Sequence, residues 1–177
     1  MNFINTYYSP LGEIIMASNG KELTGLWFKG QKYFNNKLLE EKQIFNLPIF
    51  KKTKEWLDIY FSGKKPDFIP TINIENASDF RKQVWQILLK IPYGKTITYG
   101  EISKQIEQET GNKVSAQAVG GAVGHNPISI IVPCHRVVGF NGNLTGYAGG
   151  IDRKIKLLKI EKVNLKNLSI PKIGTAL

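Results

Sequence analysis

The amino-acid sequence predicts an α/β (α+β) chain in two parts. A small mixed or antiparallel sheet with helices takes residues 1–77, and a winged helix-turn-helix takes residues 78–177. Three observations predict it. Residues 5–28 carry short runs of β-branched and aromatic residues parted by turn residues. Residues 78–123 carry capped stretches with apolar residues at helical spacing. Residues 128–138 form an apolar run around Pro133-Cys134-His135, followed by a glycine- and asparagine-rich turn.

In chain order, strands are expected at 5–8, 12–18 and 23–28, parted by Ser9-Pro10-Leu11-Gly12 and by Asn19-Gly20. An Asn-Gly pair between two such runs signals a hairpin, because both residues accept positive φ. A three-stranded antiparallel meander follows. Residues 31–42 are mixed, with some helical character. Phe50, Trp56, Leu57, Tyr60 and Phe61 fit a helix that stops at Ser62-Gly63. Residues 64–77 hold two prolines and read as a linker with a short strand at 72–74, and the domain boundary falls there.

Ser78 caps a helix with Asp79 in its first turn and Phe80, Val84, Ile87, Leu88 and Ile91 as its stripe. Pro92-Tyr93-Gly94 ends it. Thr98-Tyr99-Gly100-Glu101 is a capping box that opens a second helix, broken at Gly111-Asn112. Ser115 caps a third, small-residue helix over 116–123. Two helices joined by a glycine-containing turn and followed by a hairpin match a helix-turn-helix with a wing. Residues 128–132 read as a buried strand that delivers Cys134 and His135 to a bend. A hairpin over 137–145 turns at Asn141-Gly142-Asn143. Residues 146–150 form a glycine-rich loop, read as a mobile flap carrying Tyr147. It lacks the Gly-Lys-Ser/Thr ending of a phosphate loop. A last helix runs over 152–161, and the tail from 164 onward reads as loosely attached.

Composition bounds the function. Lys plus Arg number 24 against 14 Asp plus Glu, a formal net charge of +10, which points to a polyanion such as nucleic acid. Charge alone fits a generally lysine-rich soluble protein nearly as well. The single cysteine excludes an internal disulfide and fits a reducing compartment. No apolar run reaches transmembrane length, and the first residues lack a basic region followed by an apolar stretch. The expectation is therefore a cytoplasmic monomer with no membrane contact.

Cys134 is the chemical centre. A thiolate is the nucleophilic form, and an adjacent imidazole with an arginine one step further favours it. Burial as a small hydrophobe is the bland alternative. One Cys and two His, His125 and His135, do not make a structural zinc set, so no metal and no cofactor is expected. A Cys-His hydrolase and a helix-turn-helix regulator without chemistry both stay open on the residues alone.

Ile131-Val132-Pro133-Cys134-His135-Arg136-Val137-Val138 resembles the active-site signature of the O6-alkylguanine-DNA alkyltransferases, the methylated-DNA–protein-cysteine methyltransferases. Val84-Trp85, Ile91-Pro92-Tyr93-Gly94, Thr98-Tyr99-Gly100-Glu101, Ala118-Val119-Gly120-Gly121-Ala122, Asn126-Pro127 and Gly146-Tyr147-Ala148-Gly149-Gly150 stand in the family's order. The resemblance is close over 80–161 and loose over the first 77 residues. It implies double-stranded DNA containing O6-alkylguanine as partner, with O4-alkylthymine as a second candidate lesion, and one turnover per molecule. By the same resemblance Cys134 is the acceptor thiolate, made more acidic by its neighbours. His135 takes its proton through a water, and Glu161 orients His135. Asn126 holds the turn, and Tyr99 helps the guanine leave. The backbone of Val137 and Ala148 reads the base, and Tyr147 closes over it. Gln117, Ala118, Gly120 and Arg136 are implied DNA contacts. The chain departs from the family pattern in three ways. Gln117 stands where an arginine is common, Ala148 stands where a serine is common, and the amino-terminal zinc cysteines of some relatives are absent. Relatives that lack the cysteine bind damage without repairing it, which makes a damage-binding DNA protein the alternative.

Overall fold

The computed structural model of the chain describes residues 3–34, 36–40, 42–44, 46–74 and 77–170. β1 (Phe3–Ser9), β2 (Gly12–Ser18) and β3 (Leu23–Phe28) form the expected meander. The turn between β2 and β3 is longer than a two-residue hairpin. The Asn19 side chain accepts from the backbone of Lys21 and Glu22, and only the glycine of the Asn-Gly pair takes positive φ. Inside 31–42, residues Asn36–Glu40 make one short 3-10 turn. It leads to β4 (Lys42–Gln43), which pairs in parallel with β1 and makes the sheet mixed, in the order β3-β2-β1-β4.

Pro48 supplies the first turn of α1 (Pro48–Phe61), where its missing N–H is no loss. Ile49, Phe50, Trp56, Leu57 and Tyr60 of α1 are buried against the sheet. The linker touches the sheet at one point: Leu23 donates to Thr71 and accepts from Asn73, around a single bridge to Ile72. The expected strand at 72–74 is reduced to that bridge.

α2 (Asp79–Lys90), α3 (Tyr99–Thr110) and α4 (Ala116–Gly124) follow their sequence signals closely. Ser78, Thr98 and Ser115 each accept from the N3 backbone N–H, and Glu101 completes the capping box. α3 ends on Gly111 in the left-handed region, φ 74°, the usual exit into a helix-helix turn. The Trp85 indole donates to the Ala122 carbonyl at 2.8 Å and fastens α2 to α4. One hydrophobic cluster runs from β2 and β3 through α1 and α2 to α5 (Ile151–Ile160), so both parts of the chain share a core.

Three expectations are corrected. Residues 128–132 are buried but are not a strand. Ile128 makes a single bridge to Leu26, Ile130 sits at φ 70°, and the chain runs on into a 3-10 turn, Cys134–Arg136. The ladder is replaced by hydrogen bonds to the Asn126 side chain. The hairpin over 137–145 is not a hairpin. β5 (Ile97–Thr98) takes β6 (Val137–Val138) as a parallel partner, and Phe140–Gly142 is a 3-10 turn. The tail over 164–170 is attached. Leu144 donates to Ser169, Ser169 donates to Gly142, and Leu165 and Leu168 pack on Val138, Leu144 and Leu158. The remainder of the tail, 171–177, lies outside the described residues.

Candidate active site

The site begins at the exit of α4. Asn126 is buried, and its carbonyl oxygen accepts from the backbone of Ile128 at 3.0 Å. Its amide nitrogen donates to the Val132 carbonyl at 2.7 Å and lies 3.1 Å from the Cys134 sulfur. One side chain thus closes the turn and reaches the thiol. The turn carries strain, because a β-branched residue in the left-handed region costs about 1–2 kcal/mol, and Ile130 is such a residue. Ile130 is fully buried in the core, which holds it there. Cys134 is a free thiol, 4% exposed.

Behind the thiol lies a closed polar network. His135 Nε2 is 2.6 Å from Glu161 Oε1, with both side chains fully buried. A carboxylate only accepts, so Nε2 carries the proton in the neutral imidazole, and Nδ1 is the basic nitrogen. Nδ1 is buried and has no hydrogen-bond partner among the described residues. The Tyr60 hydroxyl donates to Glu161 Oε1 at 2.9 Å. Arg136 grips the same carboxylate with Nε at 2.8 Å and a second nitrogen at 3.0 Å, and gives its remaining terminal nitrogen to the Ile91 carbonyl. The Gly94 N–H donates to Glu161 Oε2 at 3.0 Å. Gly94 sits at φ 76°, and a Cβ there would press on the Glu161 backbone, so Pro92-Tyr93-Gly94 is shaped to hold this helix end. Burial alone would raise the Glu161 carboxyl. The hydrogen bonds and charges of His135 and Arg136 more than offset it and hold the group well below the usual carboxylate range. Burial lowers the basicity of His135, with Glu161 opposing. Burial thus favours the neutral imidazole, whose Nδ1 is the nitrogen able to accept a proton.

On the other side of the thiol is Lys154, fully buried on α5. Its ammonium donates to the Thr145 carbonyl at 2.7 Å and lies 3.5 Å from that of Gly146. Burial pushes it down to about 7, and the Cys134 thiolate pulls it back up. The Tyr99 hydroxyl donates to the Gly146 carbonyl at 3.0 Å. Tyr147 is buried, and its hydroxyl has no hydrogen-bond partner among the described residues. The expected mobile flap is thus folded in. Tyr99 and Lys154 hold its start, and the Lys32 N–H holds the Ala148 carbonyl at 3.0 Å. The Cys134 thiol is pushed up by burial, against the pull of the Asn126 amide, Lys154 and nearby backbone N–H groups. An acidic thiol was expected. In this closed arrangement desolvation outweighs those donors.

Two family models match the chain, covering most of it between them. "6-O-methylguanine DNA methyltransferase, ribonuclease-like domain" matches residues 3–74, and "6-O-methylguanine DNA methyltransferase, DNA binding domain" matches residues 79–163. The methylated-DNA–protein-cysteine methyltransferase of Mycobacterium tuberculosis (strain H37Rv) is 44% identical over 160 residues, 89% of this chain and 90% of that protein. The chain belongs to the 6-O-methylguanine DNA methyltransferase family. The enzyme of the same name from Methanosarcina barkeri is 45% identical over 159 residues, 89% of this chain and 96% of its own. Among solved structures, M. tuberculosis O6-methylguanine methyltransferase superposes with TM-score 0.80 at 41% identity, covering 92% of this chain and 93% of its own. M. tuberculosis OGT in complex with DNA gives 0.79 at 42% identity, covering 90% and 92%.

In this member of the methyltransferase family the residues singled out in the sequence fall into two places. Asn126, Cys134, His135, Glu161, Tyr99 and Tyr147 meet in the interior, with the buried backbone of Val137 and the half-buried Ala148 beside them. Gln117 and Ala118 lie exposed in the first turn of α4, while Gly120 faces inward against the Tyr99 ring. Arg136 is a correction. Expected among the DNA contacts, it is 8% exposed, and its donors are spent on Glu161 and Ile91, because a buried carboxylate needs a cation beside it. Sequence reasoning missed Tyr60 and Lys154. Tyr60 lies far away in sequence, on α1, and reads there as one more apolar-stripe residue. Lys154 had one available signal: it sits one turn before the buried Leu157 and Leu158, where a helix facing the core should be apolar.

Proposed function

We propose that this chain reverses alkylation damage in double-stranded DNA by moving the alkyl group from O6 of a guanine to its own Cys134, once per molecule. The observation that carries the reading is the Cys134 sulfur, held by the Asn126 amide beside a His135–Glu161 pair, in a chain of this family. The lesion must leave the stack to reach a thiol this deep, and extrusion costs a few kcal/mol. His135 Nδ1 takes the Cys134 proton through a water, and Glu161 steadies the imidazolium that forms. The thiolate attacks the alkyl carbon, the S–C bond forms and the C–O6 bond breaks. The electron pair goes to the guanine, which leaves neutral as the Tyr99 hydroxyl donates to it. The thioether is stable, so the acceptor is spent.

Lys154, as a buried cation near the thiol, favours the thiolate in this scheme. The resting thiol is raised by burial, which suits a nucleophile that ionises once a base fills the site. In this reading Gln117 and Ala118, exposed in the first turn of α4, enter the groove, and the backbone of Val137 and Ala148 reads the base edge. We place the division of labour at residues 77 and 78, with the sheet part supplying Tyr60 and Lys32 as braces. We take the acting species to be a monomer in the cytoplasm. O4-alkylthymine is the second lesion to try.

The test mixes the protein with duplex DNA carrying radiolabelled O6-methylguanine. The expected result is transfer that stops at one methyl per protein, and a Cys134→Ala variant that binds the duplex without transfer. Repeated turnover, or transfer in Cys134→Ala, would overturn the proposal.

A further inference from the structure

We propose that Phe140 is a nucleic-acid contact: an aromatic wall that packs on the sugar and base flanking the extruded nucleotide. The inference rests on the function proposed above. Phe140 is 85% exposed, the most exposed large apolar side chain among the described residues. A lone exposed apolar residue is ordinary. This one differs in how it is held and what it faces.

It opens the 3-10 turn Phe140–Gly142, which is closed by Gly139 N–H to Asn143 at 2.6 Å and Gly142 N–H to Gly139 at 3.2 Å. Asn141 and Gly142 both take positive φ, at 53° and 73°. Gly142 abuts the Asn167 backbone and has no room for a side chain. Ser169 straps the turn from below with two backbone hydrogen bonds. The ring is therefore displayed on a rigid tip, so its ordering on binding costs little.

The ring forms one wall of a cleft of about 450 Å³. Ala116 and Gln117 of the α4 first turn line it too, with Thr98, Tyr99 and Gly100. The volume admits a nucleoside-sized group. Among the described residues no charged side chain lines the cleft, so it suits a base face or a deoxyribose better than a phosphate. Tyr99 belongs both to this cleft and to the buried site, where its hydroxyl reaches Gly146. The cleft therefore adjoins the Tyr99 side of the buried site, with Gln117 and Phe140 both lining it. Bases stack on aromatic side chains regardless of sequence, so the contact serves any lesion context.

The experiment compares Phe140→Ala and Phe140→Trp with the unaltered protein. Single-turnover transfer is measured on duplex O6-methylguanine and on free O6-benzylguanine, and duplex affinity is measured in a Cys134→Ala background across salt. Loss of one base–aromatic contact predicts duplex transfer slower by about five- to a hundredfold in Phe140→Ala, and a comparable loss of affinity. Phe140→Trp retains both. Free-base transfer stays within about twofold, and the slope of log affinity against log salt is unchanged, because no charge is lost. Unchanged duplex transfer and affinity in Phe140→Ala would overturn the inference, as would equal slowing on the free base. If the unaltered protein transfers from neither substrate, the proposed function fails. The Phe140 contact is then judged by the duplex affinities alone.

Discussion

Replacing Lys154 with methionine separates stability from function in one residue. Lys154 is fully buried, and its ammonium is pushed from 10.5 down to about 7. A fall of that size means the charged side chain costs roughly 4–5 kcal/mol of folding free energy at and below neutral pH. The sign follows from proton counts. Between about pH 7 and 10.5 the unfolded chain binds more protons than the folded one, so stability rises with pH across that window. Methionine matches the length and removes the charge. The Thr145 and Gly146 carbonyls lose their ammonium donor and keep the Tyr99 hydroxyl, at a cost of about 1–2 kcal/mol. The net gain is about 2–4 kcal/mol, or roughly 5–15 °C in Tm for a chain of this size. Alkyl transfer should slow by about tenfold or more, because the thiolate loses a buried cation that favours it. Thermal melts from neutral to about pH 10 and single-turnover transfer measure both effects. The gap in Tm should close as pH rises. A Lys154→Met protein that melts lower than the parent, keeps the parent's pH dependence and transfers at the parent's rate would refute the reasoning and leave Lys154 a structural donor.

Glu161→Gln leaves Arg136 buried beside a neutral amide, so it should cost about 3–5 kcal/mol in urea unfolding and slow transfer. The Glu161 carboxyl is held low, so its stabilisation is present above the ordinary carboxylate pKa of about 4.3 and lost as pH falls below it. A stability gap between parent and variant that stays constant into acid would count against that assignment. Because burial raises the Cys134 thiol, a small neutral electrophile should label it more slowly at pH 7 than an exposed cysteine, with rates still climbing above about pH 8.5. Labelling as fast as free cysteine at neutral pH would contradict this. Gln117→Ala should slow repair of duplex more than reaction with free O6-benzylguanine. Gln117→Arg should steepen the salt slope of binding by roughly one unit if the new charge meets a phosphate. Equal slowing of Gln117→Ala on both substrates would make Gln117 a pocket residue.

The helices of the second half were legible because their ends carry their own chemistry: Ser78, Thr98 with Glu101, and Ser115 are local signals that the fold leaves intact. The meander was legible for the same reason. Residues 128–145 misled because hydrophobic runs and Asn-Gly turns signal strands and hairpins only when a ladder partner is available. Here Asn126 supplies the partners for one segment, and β5 and Ser169 supply them for the other. Those contacts are tertiary, and periodicity does not carry them. Cys134 and His135 were legible as a pair from their adjacency, whereas Asn126 entered only through the family resemblance, since a lone Asn before a proline carries no signal of the turn it closes. Tyr60 and Lys154 were not legible, since each makes its point only after α1 and α5 are brought against the Cys134 turn. Arg136 was misassigned because a positive charge beside a nucleophile in a basic protein reads as a DNA contact until its buried partner, Glu161, is seen.

The most direct test of the account is peptide mass spectrometry after the protein meets one equivalent of duplex DNA containing O6-methylguanine. The account predicts a single methyl on Cys134, none elsewhere, and an intact strand with guanine restored in its place. A restored guanine with unmodified Cys134, or a methyl on any other residue, would contradict it.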